Sequence, residues 1–243
     1  MPAQRTTENV SITARPGDML AKSNGVSDLM VHAMLFDEDN DRSDVTSTTH
    51  LRTAHMGPPL GNLTLTCDAI AGIGLTDDQK LRIKKFIARC KDASDKRKKE
   101  YQKRGMKADP RELYVILPSA KPPDGDFAYW RFSCVGFVLK AYDEMKITLL
   151  KGPIPERTLV ELKNFYPLFA KELDDANTRS EMGIGTGSRW PVELVGYVLH
   201  SFARNEAEVI AGPYTPQPGD EYFPRQRPSG GLPPRKFGKK WKK

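Results

Sequence analysis

Cysteine and histidine are scarce in this chain, three of one and four of the other. Three cysteines cannot all pair, and their spacing gives neither a disulfide framework nor a zinc site. No CxxC or HExxH occurs, so no metal or organic cofactor is expected. Free thiols fit a reducing compartment, and a cytoplasmic location is the expectation. No apolar run approaches the ~18 residues that a spanning helix needs. The first twenty residues lack the apolar core of a secretory signal. The stretch Gly183-Ile184-Gly185-Thr186-Gly187 lacks the following Lys-Ser/Thr and the preceding strand of a phosphate-binding loop, and reads as a plain loop. No internal repeat is present.

What is there begins with charge. The net charge of +7 divides unevenly. Residues 80–107 hold thirteen Lys/Arg against three Asp/Glu, and residues 224–243 hold eight Lys/Arg and no acid. The remainder sums to −11, so an acidic body carries one basic helix and one basic tail. The tail interleaves Phe237 and Trp241 with its cations. That composition suits a polyanion, either nucleic acid or an anionic membrane surface. With 243 residues, of which 38% are hydrophobic, one core and one domain are expected.

The pattern along the chain is mixed. Pro16-Gly17-Asp18 is a turn signal before Met19-Leu20, and Met30 to Phe36 is a second apolar strand around His32. Asp37 to Asp41 reads as a turn, and the β-branched run Val45 to Leu51 as a third strand. Thr76-Asp77-Asp78-Gln79 is a capping box ahead of Ile83, Phe86, Ile87 and Cys90 at helical spacing, in a helix expected to end near Gly105. Leu113 to Leu117 reads as a strand, and the aromatic run Phe127, Tyr129, Trp130, Phe132 follows a Pro/Gly loop. Ser133 then opens a helix with Val135, Val138, Leu139, Tyr142 and Met145 on one stripe. Two further helices are expected over roughly 156–174 and 191–205. His200 falls late in the second, where a cation complements the helix dipole.

The chemistry centres on Arg131-Phe132-Ser133-Cys134-Val135-Gly136-Phe137-Val138. A cysteine in the first turn of a helix sits at the positive end of the dipole, which favours thiolate. The first-turn amides can stabilise an oxyanion, and Gly136 is expected to leave room for substrate. A thiolate nucleophile needs an imidazole partner, and His32, a polar residue inside an apolar strand, is the candidate. Cys67 and Cys90 lack a helix-start context and read as core.

Asp18 after Gly17, His32 opening HAMLF, and Cys134 opening a helix as SCVGFV, in that order, resemble the permuted NlpC/P60 group of papain-like cysteine hydrolases. The resemblance covers roughly residues 15–146. It implies an α+β, papain-like, circularly permuted fold: a small antiparallel sheet packed on the Cys-bearing helix, here with extra C-terminal helices. It implies Cys134 as nucleophile, His32 as general base, and a third polar residue on the following strand. His50 is the choice for that residue, with Thr49 and His55 as rivals. The long basic helix over 80–107 is not a feature of that group.

The expectation is therefore a thiol-dependent hydrolase or acyltransferase acting on a peptide, amide or ester bond. Its organisation is a flexible segment 1–14, a papain-like domain with helical extension 15–212, and a Pro/Gly-rich, basic, disordered tail 213–243. The rival expectation is a non-enzymatic module, including an inactive papain-like scaffold, that engages a polyanion through 80–107 and 224–243.

Overall fold

Eight short strands open the chain: β1 (Gln4–Arg5), β2 (Ile12–Ala14), β3 (Met19–Ser23), β4 (Met30–Phe36), β5 (Arg42–Val45), β6 (Leu51–His55), β7 (Gly61–Leu65) and β8 (Ala69–Ala71). The computed structural model describes residues 2–25, 28–56, 61–106, 131–184 and 187–224. Six of the strands form one antiparallel sheet in the order β1-β8-β3-β4-β6-β7. The other two, β2 and β5, pair with each other. The architecture is mixed α+β, as expected from the pattern. The strand expected over 113–117 and the aromatic residues 127–130 lie outside the described residues.

Alternation along the strands builds two cores. Leu20, Met34, Phe36, Leu51 and Ile70 face the β2–β5 pair, where Ile12, Ala14 and Val45 meet them. Met19, Ala21, Ala33, Leu35, Ala54, Ala69 and Ala71 face the helices on the other side. Five of those seven residues are alanine, so helices can approach this face closely. The helices there are α1 (Asp77–Lys103), α2 (Cys134–Asp143) and, later in the chain, α5 (Val195–Ala203).

The helix starts follow the sequence signals. Thr76 and Gln79 form a reciprocal capping box on α1, whose Ile83, Phe86, Ile87 and Cys90 are buried. Gly105, with φ of +66°, follows its end. Ser133 caps α2, its Oγ accepting the Gly136 N–H at 2.8 Å.

Elsewhere the structure corrects the sequence reading. Val45 to Leu51 is not a strand, because β5 ends at Val45 and β6 begins at Leu51. Between them the Thr46 N–H bonds to Thr49 Oγ1 at 2.9 Å, and the Thr46 hydroxyl meets those of Thr48 and Thr49. Such side-chain bonds compete with a strand ladder. Residues 1–14 were expected to be flexible, yet β1 pairs with β8 and β2 with β5. The helix expected over 156–174 is broken into β9 (Glu156–Thr158), α3 (Leu159–Phe165) and two short 3-10 turns, since Pro167 cannot continue α3. α4 (Ala176–Glu181) follows, and β10 (Arg189–Pro191) pairs with β9. The last helices are α5 and α6 (Glu206–Ala211).

Residues 213–224 also depart from the disordered tail that their composition suggested. They form a strap across α5. Tyr214 exchanges backbone bonds with Leu149 and Lys151, Tyr222 bridges Leu29, and the Phe223 N–H reaches Asp28 O at 2.9 Å. Phe223 is buried, with the Arg5 guanidinium 4.7 Å from its ring centroid. The buried Arg157 bonds to Tyr197 and to Glu221 at 3.0 Å. His200 does more than complement a dipole, for Nε2 lies 3.2 Å from Tyr222 O and Nδ1 3.5 Å from Asp220 Oδ1.

The strap depends on Gly196. A Cβ at that position would stand 2.3 Å from the carbonyl oxygens of both Asp220 and Glu221. Gly196→Ala should therefore displace the strap and cost about 2–3 kcal/mol in urea unfolding. Limited proteolysis should then cut within 213–224 in the variant well before the wild type.

Candidate functional site

Cys134 is the first residue of α2, and only 2% of it is exposed. It belongs to the core that includes Ala33 and Leu35 of β4. The far end of the helix is tied down, since Tyr142 Oη donates to Gly17 O at 3.1 Å. Gly17 in turn donates its N–H to Phe36 O at the end of β4. Eight helical residues back from Tyr142 is about 12 Å. Four strand residues back from Phe36, to His32, is about 13 Å. Cys134 and His32 thus lie on two elements tied to one turn.

The rest of α2 shows what Gly136 does. With Leu139, Lys140, Asp143, Thr148, Leu149 and Leu150 it lines an open pocket of about 170 Å³. Helical spacing sets those of α2 on the side opposite Cys134. Gly136 does not open space around the thiol, contrary to expectation.

His32 lies on β4 beside a second imidazole. Its Nε2 is 3.3 Å from His55 Nδ1, and the rings meet edge to face. The register explains the meeting, for His55 of β6 pairs with Met34, two residues from His32 and on the same face. His50 lies exposed in the turn before β6, and the Thr49 hydroxyl is held in the Thr46 network. Of the three candidates for the third residue, His55 is the one next to His32. It is 8% exposed, and its Nε2 has no partner among the described residues.

Register also sets the faces. His32 pairs with Lys22, and the neighbouring Leu20–Met34 pair points into the β2–β5 core. His32 and His55 therefore share the Met34 face, whereas Cys134 belongs to the cluster on the helical face that includes Ala33 and Leu35. Next to His32 the described ladder of β6 has already ended, its last pair being Met34–His55.

Burial governs the titrating groups. It pushes His32 down to about 4, with the charge of His55 adding, and it lowers His55 as well. It pushes the Cys67 and Cys90 thiols up to about 12, in keeping with inert core positions. Tyr166 is raised well above its ordinary value, first by burial and then by charge at Cys134 and Glu193. Tyr166, which feels charge at Cys134, and Glu193, which acts on Tyr166 and is itself raised by burial, are groups that the sequence did not single out. Tyr166 ends α3 just before Pro167, where no periodic signal marks it. Asp18 is buried at the Pro16-Gly17-Asp18 turn, its Oδ2 accepting the Arg15 N–H at 2.8 Å. Burial pushes it up to about 7.

Among the described residues no three His, Cys, Asp or Glu side chains cluster to hold a metal ion. None of their helices is long and apolar enough to cross a membrane. No family model, curated protein or solved structure matches the chain.

A buried group and a half-buried one, Asp18 and His32, tilt stability in opposite directions with pH. The folded-state value of Asp18 is raised, so its contribution is full below about 4 and is lost as pH rises through about 7. That of His32 is lowered, so its contribution is full above about 6.5 and is lost as pH falls through about 4. Asp18→Asn should remove up to about 4 kcal/mol of decline between pH 4 and 7, and His32→Gln up to about 3 kcal/mol of the opposing acid decline. Denaturant unfolding across pH reads both slopes, and parallel curves for wild type and variants would contradict the assignment.

Proposed function

We propose that this sheet and helix form a circularly permuted, NlpC/P60-type papain-like domain that performs thiol-dependent hydrolysis or transfer of an amide- or ester-linked acyl group. The observation that carries the reading is the His32–His55 pair, 3.3 Å apart. With His32 Nε2–H donating to His55 Nδ1, the lone pair of His32 rests on Nδ1, where a base must hold it. His55 takes the orienting role that the sequence reading gave to His50.

In this scheme Cys134 Sγ attacks the carbonyl carbon while His32 takes the thiol proton. The first-turn amides of α2 stabilise the oxyanion. His32 returns the proton to the leaving amine or alkoxide, and water or a second acceptor then cleaves the thioester.

One observation favours the second reading, a binding module without turnover. The imidazole pair and Cys134 belong to opposite faces of the sheet by strand alternation. Kinetics with an activated ester such as p-nitrophenyl acetate decide between the two. Cys134→Ala and His32→Ala should each lower turnover by roughly a thousandfold or more, and the double variant should be no worse. His55→Ala should cost about tenfold to a hundredfold, as loss of an orienting partner does, and His50→Ala nothing. Wild-type rates in Cys134→Ala would leave the binding reading alone standing.

A further inference from the structure

α1 divides its residues by face. Ile83, Phe86, Ile87, Cys90, Ser94 and Arg97 are buried. Lys85, Arg89, Asp92, Lys96, Lys99 and Lys103 recur at alternating steps of four and three, which sets them on one helical stripe away from that buried face. All six are exposed. Arg89 pairs with Glu144 at 2.9 Å, and Asp92 is the one acid on the stripe. Lys85, Lys96, Lys99 and Lys103 have no ion-pair partner among the described residues. The local carboxylates instead engage Lys80, Lys84 and Lys98 off the stripe, through Asp77, Asp39 and Asp95.

We infer that this stripe is a docking surface for the phosphate backbone of a single strand of nucleic acid. From Lys85 to Lys103 it runs eighteen residues, about 27 Å at 1.5 Å each. That length matches roughly eight phosphates of one stacked strand at 3.4 Å each. Charge complementarity lies here and in 224–243, because outside the two basic segments the chain sums to −11 and would repel a polyanion. A membrane surface fits less well. An interfacial helix needs an apolar face to bury in lipid, and the apolar face of α1 already packs in the core. Backbone contacts of this kind carry no sequence preference. The inference is independent of any chemistry at Cys134.

The test is fluorescence anisotropy of a labelled oligothymidylate with the full chain over a salt series. Each lysine that neutralises a phosphate contributes about −0.7 to the slope of log K against log salt. Changing Lys85, Lys96, Lys99 and Lys103 together to Gln should make that slope shallower by about 3. Because these side chains are exposed and unpaired, circular dichroism should show the fold unchanged. Lys85→Gln alone should remove about 0.7 of slope, and Cys134→Ala should bind as wild type does. An unchanged slope in the fourfold variant, or no salt-sensitive binding at all, would overturn the inference. So would a larger loss on phosphatidylserine vesicles than on the oligonucleotide.

Discussion

The junction of Gly17, Phe36 and Tyr142 sets the position of everything that could act as a site. Gly17 adopts φ of +89°, and a Cβ there would stand 2.8 Å from Ile83 and Leu75. Only glycine lets the turn lie against α1. The turn then pairs with the end of β4 through Gly17 N–H and Phe36 O, and accepts Tyr142 Oη from α2. A helix and a strand that share an anchor at one end have their other ends fixed by their rise per residue. Cys134 and His32, a hundred residues apart in sequence, thus lie on two elements held by the same turn. The neighbouring Asp18 is the cost of this arrangement, a carboxyl held where burial disfavours its charge. Gly72 packs so closely against it that a Cβ would meet Asp18 Oδ1 at 1.9 Å.

The local signals in the sequence were legible because they act within a few residues. Thr76 with Gln79, and Ser133 ahead of Cys134, each satisfy amides in their own first turn. What required long-range contact was not legible. The strap over 213–224 reads as low-complexity chain, since its order comes from partners far away: Leu29, Leu149, Arg157 and His200. Gly196 gives no sign in the sequence that two carbonyls press on it. His55 was set behind His50 because the threonine run suggested a strand, when the hydroxyls of Thr46 and Thr49 turn the chain instead. Once the strand starts at Leu51, the register brings His55 beside His32.

The second level of organisation is electrostatic. α1 is basic throughout, yet its cations do not act alike. Several pair with carboxylates beside them on the helix or on the adjoining loop, and these connect α1 to the body. Lys84 with Asp39 and Arg89 with Glu144 are such links. Exposed pairs of this kind contribute little individually to stability. Their larger consequence is to leave Lys85, Lys96, Lys99 and Lys103 outward with no ion-pair partner among the described residues, on a chain that is acidic outside its two basic segments.

The same burial that shapes the imidazole pair constrains the chemistry it can perform. A resting thiolate–imidazolium pair requires His32 to carry a proton, and both desolvation and the adjacent His55 oppose that. Desolvation also raises the other two thiols of the chain, so the protein interior supplies no general bias toward thiolate. In a Cys134–His32 unit the imidazole would therefore rest neutral. Proton transfer would accompany attack on the carbonyl instead of preceding it. With His32 Nε2–H donating to it, a neutral His55 ring would ease that transfer, because the bond gains strength as His32 becomes positive. The oxyanion formed at the same moment would lie at the N-terminal end of α2, where the dipole and first-turn amides favour negative charge. Catalysis in this fold would thus depend on charge that appears only during reaction, in surroundings that suppress it at rest.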